Sequence, residues 1–166
     1  MNLQEELQRI KEVMGATKTN SDFLSWKRKN VTLRGIQDGD AEDNGGMAKY
    51  GQGLYTAFLG NKVMAREYGT VYFVVNAIPK KPKVVYNTNE AEIFLQEVVT
   101  NFCKRHNVSR SNYFFSDKTT MAKEMQKLGY DGLIIKGREM VNYTPTNILY
   151  FRNKYELEDY FNTVVK

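Results

Sequence analysis

With one cysteine, Cys103, and one histidine, His106, the chain cannot form an intramolecular disulfide or a zinc site of the usual Cys/His kind. Its three prolines mark no linker, and there is no repeat or low-complexity tract. A single domain over 1–166 is therefore expected, large enough to bury a substantial core. No apolar run approaches the roughly 20 residues that cross a bilayer, and no charged leader precedes an apolar stretch. The expectation is a cytoplasmic protein without a membrane partner. Acidic residues are the minority, 19 against 24 Lys and Arg, and the resulting +5 favours anionic ligands without specifying one.

Apolar spacing at Leu3, Leu7, Ile10 and Met14 predicts an N-terminal helix closed by Gly15, and Asn20, Ser21 and Asp22 offer a turn before "FLSW". "NVTLRGI" reads as a strand, and the acidic, Gly-rich segment 37–49 as a long loop. "YGQGLYTAFLG" reads as a glycine turn leading into a helix from Asn61 to Tyr68. "TVYFVVNAI" has the continuous apolar character of a strand covered on both faces, and "PKKPKVVY" reads as a partly extended crossing. Asn89 with Glu92 resembles a capping box for a helix that buries Ala91, Phe94, Leu95, Val98, Val99 and Phe102. After "NYFFS", a short strand or turn, a helix near 118–128 should point Ala122, Met125 and Leu128 inward. Three extended runs follow near 133–135, 139–143 and 147–151, then a helix opened by Asn153 and Glu156 with Leu157, Tyr160, Phe161 and Val164 as its apolar stripe. The order is mixed α+β, without strict β-α-β alternation.

Two arrangements that could carry chemistry read as structural or do not fit. Cys103 and His106 could meet on one helix face as thiolate and base, but their apolar helix suits a buried small hydrophobe and a helix-end cation. "GQGLYTAFLG" has neither the Gly-Lys-Ser/Thr of a Walker loop nor the preceding strand of a dinucleotide fingerprint. Three separated pieces remain. Arg34-Gly35 offers a planar donor fork beside a residue that permits close backbone approach. Tyr55 sits at a turn where an exposed ring could stack on a flat heterocycle. Glu139 is the lone acid in "LIIKGREMVNY", where a half-buried carboxylate costs free energy unless paired or used. Taken singly, Arg34 reads as a surface cation, Tyr55 as a core aromatic and Glu139 as an outward residue paired with Lys136 or Arg138.

Together, "TLRGI", "YGQGLYTAFLGNKVMAREYG" and "LGYDGLIIKGREMVNYTPTNILYF" resemble the ADP-ribosyltransferase superfamily, particularly its small phage and mobile-element members. The resemblance covers roughly 30–152 and implies a split β-sandwich core with flanking N- and C-terminal helices. It implies NAD as ADP-ribose donor, no metal, and a macromolecular acceptor, a protein in preference to a nucleic acid. It further implies a phage-encoded modifier of host or defence machinery acting in the host cytoplasm. By this likeness Glu139, Tyr55 and Arg34 are the catalytic set, and Arg34, Gly35, Gly53, Tyr55, Thr56 and Tyr68 line the NAD site. Tyr143 and Lys136 would stand at its edges, and the 37–49 loop would lie over it or choose the acceptor. The branch resembling diphtheria toxin and poly(ADP-ribose) polymerases has His where Arg34 stands, and the cholera-toxin-like branch has Arg there with a Ser-Thr-Ser middle motif. The chain is a hybrid of the two. Gly137 stands where arginine-modifying relatives carry a second Glu, which disfavours arginine as the acceptor.

The chemistry suits these residue types. Breaking the nicotinamide–ribose bond builds oxocarbenium-like charge, which a fixed carboxylate stabilises more in the transition state than in the ground state. The alternatives are an NAD glycohydrolase, and a non-catalytic module of the same fold that binds protein or nucleic acid, in the latter case through basic patches at 27–29, 80–83 and 104–110.

Overall fold

The computed structural model describes residues 20–37, 49–110 and 118–166. The expected N-terminal helix with Gly15, the body of the 37–49 loop and "NYFFS" lie outside the described residues.

Helix α1 covers 20–30, where a turn before "FLSW" is expected. Its apolar content is small, but Phe23 and Trp26 lie one turn apart and pack on Phe161, with ring centroids 5.5 and 5.2 Å away. Tertiary burial stabilises the helix where local periodicity is weak. Strands β1 (Val31–Ile36), β2 (Leu54–Ala57) and β3 (Thr70–Val75) follow, with the short helix α2 (Lys62–Arg66) between β2 and β3. Tyr55 therefore lies on a strand that intervenes between the glycine turn and α2, rather than at the handover itself. Strand β4 (Pro82–Val85), helix α3 (Thr88–His106) and helix α4 (Lys118–Lys127) lead to β5 (Gly132–Ile135). Strands β6 (Glu139–Asn142) and β7 (Leu149–Phe151) and helix α5 (Lys154–Tyr160) complete the order, α5 running on into a wider π-type turn, Phe161–Val165.

The strands form one mixed sheet in the order β4-β5-β6-β2-β1-β3-β7. Only β4 and β5 are parallel, joined by the long crossover through α3 and α4 that parallel pairing requires. Pro82, which has no N–H to give, opens the edge strand β4, a position that tolerates it. A split sandwich is expected, but the described strands make a continuous open sheet with a narrow waist. The half β4-β5-β6-β2 meets the half β1-β3-β7 at one register pair, Leu33↔Ala57, whereas β1 and β3 are paired over six residues. The architecture is α+β.

The strand pleat decides where the core lies. One face presents Val31, Leu33, Phe73, Val75 and Phe151 at one end and Leu133, Ile135 and Val141 at the other. All five helices among the described residues pack on this face. Helices α3 and α4 bring Ala91, Leu95, Val98, Ala122 and Met125 onto the β5–β6 end. Helix α2 brings Ala65 onto Leu33 and Ala57, and α1 with α5 brings Phe23, Leu157 and Phe161 onto Val31 and Val75. The opposite face carries a small cluster of Leu54, Val74 and Ala77 with Tyr72 and Ile148. No helix among the described residues is long and apolar enough to cross a membrane.

Four helix expectations shift. The cap of α3 is Asn87, whose Oδ1 accepts from Glu90 N–H at 2.9 Å while the Glu90 carboxylate accepts from Tyr86 N–H, so the capping box sits two residues before Asn89/Glu92. Phe94 and Phe102 are only partly buried on α3. Leu128 is 56% exposed because α4 ends at Lys127 and the chain turns away at Gly129. Val164 is 67% exposed because the π-type turn after Tyr160 shifts the helical phase, although Leu157 and Phe161 are buried as expected. The Asn153/Glu156 box of α5 forms as read. Cys103 is buried on α3, and His106 lies in the final turn with its ring 4.3 Å from that of Phe102.

One buried carboxylate fastens α3 to α4. Glu124 is 3% exposed and is bound by Arg105 from α3 and by Lys127, the latter at 2.7 Å. Burial works to raise its pKa, but the hydrogen bonds from Lys127 and Arg105 outweigh it and hold the carboxyl below its ordinary 4.5. A depressed native pKa contributes stability above the unfolded value and loses it as the pH falls through the folded one. Glu124→Gln should therefore lower unfolding free energy at pH 7 by about 1–2 kcal/mol, modest because both cations are half exposed and can rehydrate. The difference from wild type should shrink below pH 4.5. Urea unfolding at pH 7 and pH 3.5 measures both, and an equal difference at the two pH values would count against this role.

Candidate functional site

Glu139 is fixed by register. Leu33 faces Ala57, Ala57 faces Glu139, and Glu139 faces Ile135, so the four stand in one row across the sheet waist on the helix-covered face. Tyr55, two residues before Ala57 and opposite Val141, lies on the same face. Glu139 is 8% exposed, and its Oε1 accepts from Arg138 Nε at 3.1 Å. It is thus inward and paired, where the structural reading alone places it outward.

Tyr55 is not a free stacking plate. Its phenol donates to the Gly51 carbonyl at 2.7 Å and accepts from Tyr50 N–H at 3.0 Å, and its ring stacks on that of Tyr50 with centroids 6.5 Å apart. Tyr143 donates its phenolic O–H to the Tyr50 carbonyl at 2.8 Å, locking the same turn from the far side. Burial pushes the Tyr55 phenol well above its ordinary 10, against the Tyr50 N–H bond that favours the phenolate, and the nearby Tyr143 and Glu139 push it further. Burial raises Tyr143 likewise. Both phenols stay neutral near pH 7, so neither serves as a base. The glycines of this turn serve the protein's own packing: a Cβ on Gly53 would stand 2.6 Å from the Asn142 carbonyl oxygen. Its small size admits strand β6 rather than a ligand.

The exposed ring belongs to Tyr68, 55% exposed, just beyond α2. Helix α2 lies against β1 because Gly35 has no side chain. A Cβ there would meet the Ala65 carbonyl oxygen at 1.9 Å and the Tyr68 carbonyl carbon at 3.0 Å. Asn61 ties the other end, its Oδ1 accepting from Met64 N–H at 3.4 Å and its Nδ2 donating to the Arg138 carbonyl at 3.3 Å. Gly35, the helix leading to Tyr68, and the turn carrying Arg138 and Glu139 are thereby one mechanical unit. Asn61 and Arg138 are the site residues that motif reading does not assign. An Asn opening a helix and a cation next to the lone acid are the only sequence signals for them.

Arg34 goes elsewhere. It neighbours Leu33 on a regularly paired strand, so the pleat sends it to the face opposite Glu139 and Tyr55. There its Nη1 donates to the Tyr150 hydroxyl at 3.2 Å, and Tyr150 meets Tyr72 edge-on with ring centroids 6.4 Å apart. Thr56 also points to that side, and its buried hydroxyl has no hydrogen-bond partner among the described residues. Lys136 stands 4.1 Å from the centre of the Tyr86 ring. Of the residues expected to converge, Glu139, Tyr55, Gly35 and Tyr68 share one side of the sheet, and Arg34 and Thr56 do not join them. The motif acid Asp131 is a staple rather than a site residue: its carboxylate accepts from Lys80 and Lys81 N–H at 2.9 and 2.8 Å. Among the described residues no three His, Cys, Asp or Glu side chains gather as a metal site requires.

If Gly35 is the seat of α2, Gly35→Ala should lower stability by about 2 kcal/mol in urea unfolding, because the obstruction is backbone and cannot rotate aside. An unchanged midpoint would mean that α2 is not pressed on β1 in this way. The chain matches no protein-family model, no curated protein and no solved structure.

Proposed function

We propose that the protein is an ADP-ribosyltransferase that cleaves the nicotinamide–ribose bond of NAD and passes ADP-ribose to a macromolecular acceptor, a protein in preference to a nucleic acid. The observation that carries this reading is Glu139, a carboxylate 8% exposed on the waist row of the sheet, on the face of Tyr55 and beside the unit that carries Tyr68. In this reading, which takes the core about 30–152 as ADP-ribosyltransferase-like, Glu139 holds a hydroxyl of the nicotinamide-bearing ribose. Its negative charge stabilises the sugar as the C1′–N bond breaks and the bonding pair leaves with nicotinamide. The acceptor nucleophile then bonds to C1′ and loses its proton. Tyr68 supplies the exposed ring for the nicotinamide, while Tyr55 shapes the floor through its bonds to Gly51 and Tyr50. Arg34 has no part in the bond-breaking step, because it faces the other side of the sheet.

A second reading is favoured by a specific observation: Glu139 already has a counter-ion and the Tyr55 phenol is saturated by backbone. Both could serve structure alone in a non-catalytic binding module of the same fold. Labelled NAD incubated with the protein and a bacterial lysate separates the readings. The enzyme is expected to transfer label to a macromolecule, and Glu139→Gln to reduce that transfer at least a hundredfold while the variant still melts cooperatively as a folded protein. Full transfer by the variant would remove Glu139 from the mechanism. Free ADP-ribose without a labelled macromolecule identifies a glycohydrolase, and absence of NAD binding with salt-steep nucleic-acid binding identifies the module.

A further inference from the structure

The arginine closest to the bond-breaking carboxylate is one that the motifs did not assign. Arg138 has its backbone pinned twice, its N–H to the Ile135 carbonyl at 3.1 Å and its own carbonyl to Asn61 Nδ2 at 3.3 Å. Its side chain is the loose part, 55% exposed against 11% for the Glu139 side chain. Glu139 takes only its Nε–H. Among the described residues nothing else binds the half-exposed guanidinium, and its terminal N–H pair is the fork that matches a phosphate in two bonds. A second cation stands nearby: Lys49, whose Nζ lies 5.5 Å from the centre of the Tyr50 ring and is paired with the exposed Glu92. The Glu92 hydrogen bond raises the Lys49 pKa, and the Arg138 charge works weakly the other way. The two half-exposed cations of this rim each face one carboxylate, Lys49 the exposed Glu92 and Arg138 the buried Glu139.

We propose that Arg138 is a diphosphate-binding residue that releases Glu139. In the donor-free protein it neutralises the carboxylate; when NAD binds, its terminal N–H fork takes the diphosphate and leaves Glu139 to the ribose. This inference rests on the donor site proposed above. The reach is chemically natural, because the diphosphate hangs from the 5′-carbon of the same ribose whose hydroxyl Glu139 would hold, one sugar away. It also supplies the anion-binding role expected of Arg34, which the pleat turns to the other face.

Two fragments of the donor test it by calorimetric titration. ADP-ribose keeps the diphosphate, and nicotinamide riboside lacks it. Arg138→Ala should weaken ADP-ribose about tenfold or more while leaving nicotinamide riboside unchanged or tighter, because Glu139 loses its competitor. Arg138→Lys should recover part of the ADP-ribose affinity, with a steeper salt dependence than Arg138→Ala. Glu139→Gln, which frees the guanidinium, should bind ADP-ribose at least as tightly as wild type. Equal weakening of both fragments by Arg138→Ala, or of neither, would reduce Arg138 to a structural counter-ion and overturn the proposal. Arg138→Gln provides the same contrast if the alanine variant folds poorly by thermal melt. A wild-type protein that binds neither fragment would instead bring down the donor-site reading itself, a result distinct from the selective one.

Discussion

The pairing of Leu33 with Ala57 and of Ala57 with Glu139 is the constraint from which the rest follows. Because side chains alternate strictly along a strand, this row decides which residues can ever meet. A slip of one residue between β1 and β2 would put Arg34 on the side of Glu139 and turn Leu33 out of the core. Burial forbids the slip: Leu33, 3% exposed, and Ala57, 4% exposed, pack with Ala65 of α2, and their loss from that cluster would be a cost without compensation. The placement of every candidate group is thus a by-product of keeping three small apolar contacts dry.

Much of what resembles ligand chemistry in the motifs holds the protein's own backbone. Gly53 admits the Asn142 carbonyl, the Tyr55 phenol closes the Gly51–Tyr50 turn, and Asp131 collects two N–H groups from the Lys80–Lys81 crossing. Asn142 does the same, donating to the Ala77 carbonyl and accepting from Thr144 N–H. Irregular segments carry backbone groups that no ladder satisfies, and buried ones must be paired. A fold whose strands are three to six residues long has many such segments, and polar side chains at strand ends are the nearest source of partners.

Local burial periodicity made most elements legible. The spacing of Ala91, Leu95, Val98 and Val99 predicts α3, and the Asn153/Glu156 box predicts the start of α5, because both signals lie within a few consecutive turns of the chain. Helix α1 was opaque because its stability comes from Phe161, more than a hundred residues away. Strand β2 was opaque for a related reason: four residues between a glycine turn and a helix show no pattern until β6 lies beside them. In the site, the residue types were readable and their faces were not. Glu139 stood out as a lone acid in an apolar run, but whether Arg34 lies on its side depends on registers set across the whole sheet. Tyr68 and Tyr55 could be ranked only by exposure, a tertiary property.

The division of labour at the waist follows from rigidity. A carboxylate on a strand paired on both sides cannot move far, so in the Glu139–Arg138 pair the exposed guanidinium is the partner with room to move. Arg138 meets that requirement because its side chain leaves a turn whose backbone is held at both the N–H and the carbonyl. The exposed guanidinium can hydrate at little cost if it moves, whereas Glu139, 8% exposed, then needs another hydrogen-bonding partner in its place. Asn61 joins this turn to the start of α2, donating to the Arg138 carbonyl and accepting from Met64 N–H. An aromatic ring, a carboxylate and its counter-ion are therefore set by one small assembly of turn and helix, joined to the sheet at Gly35.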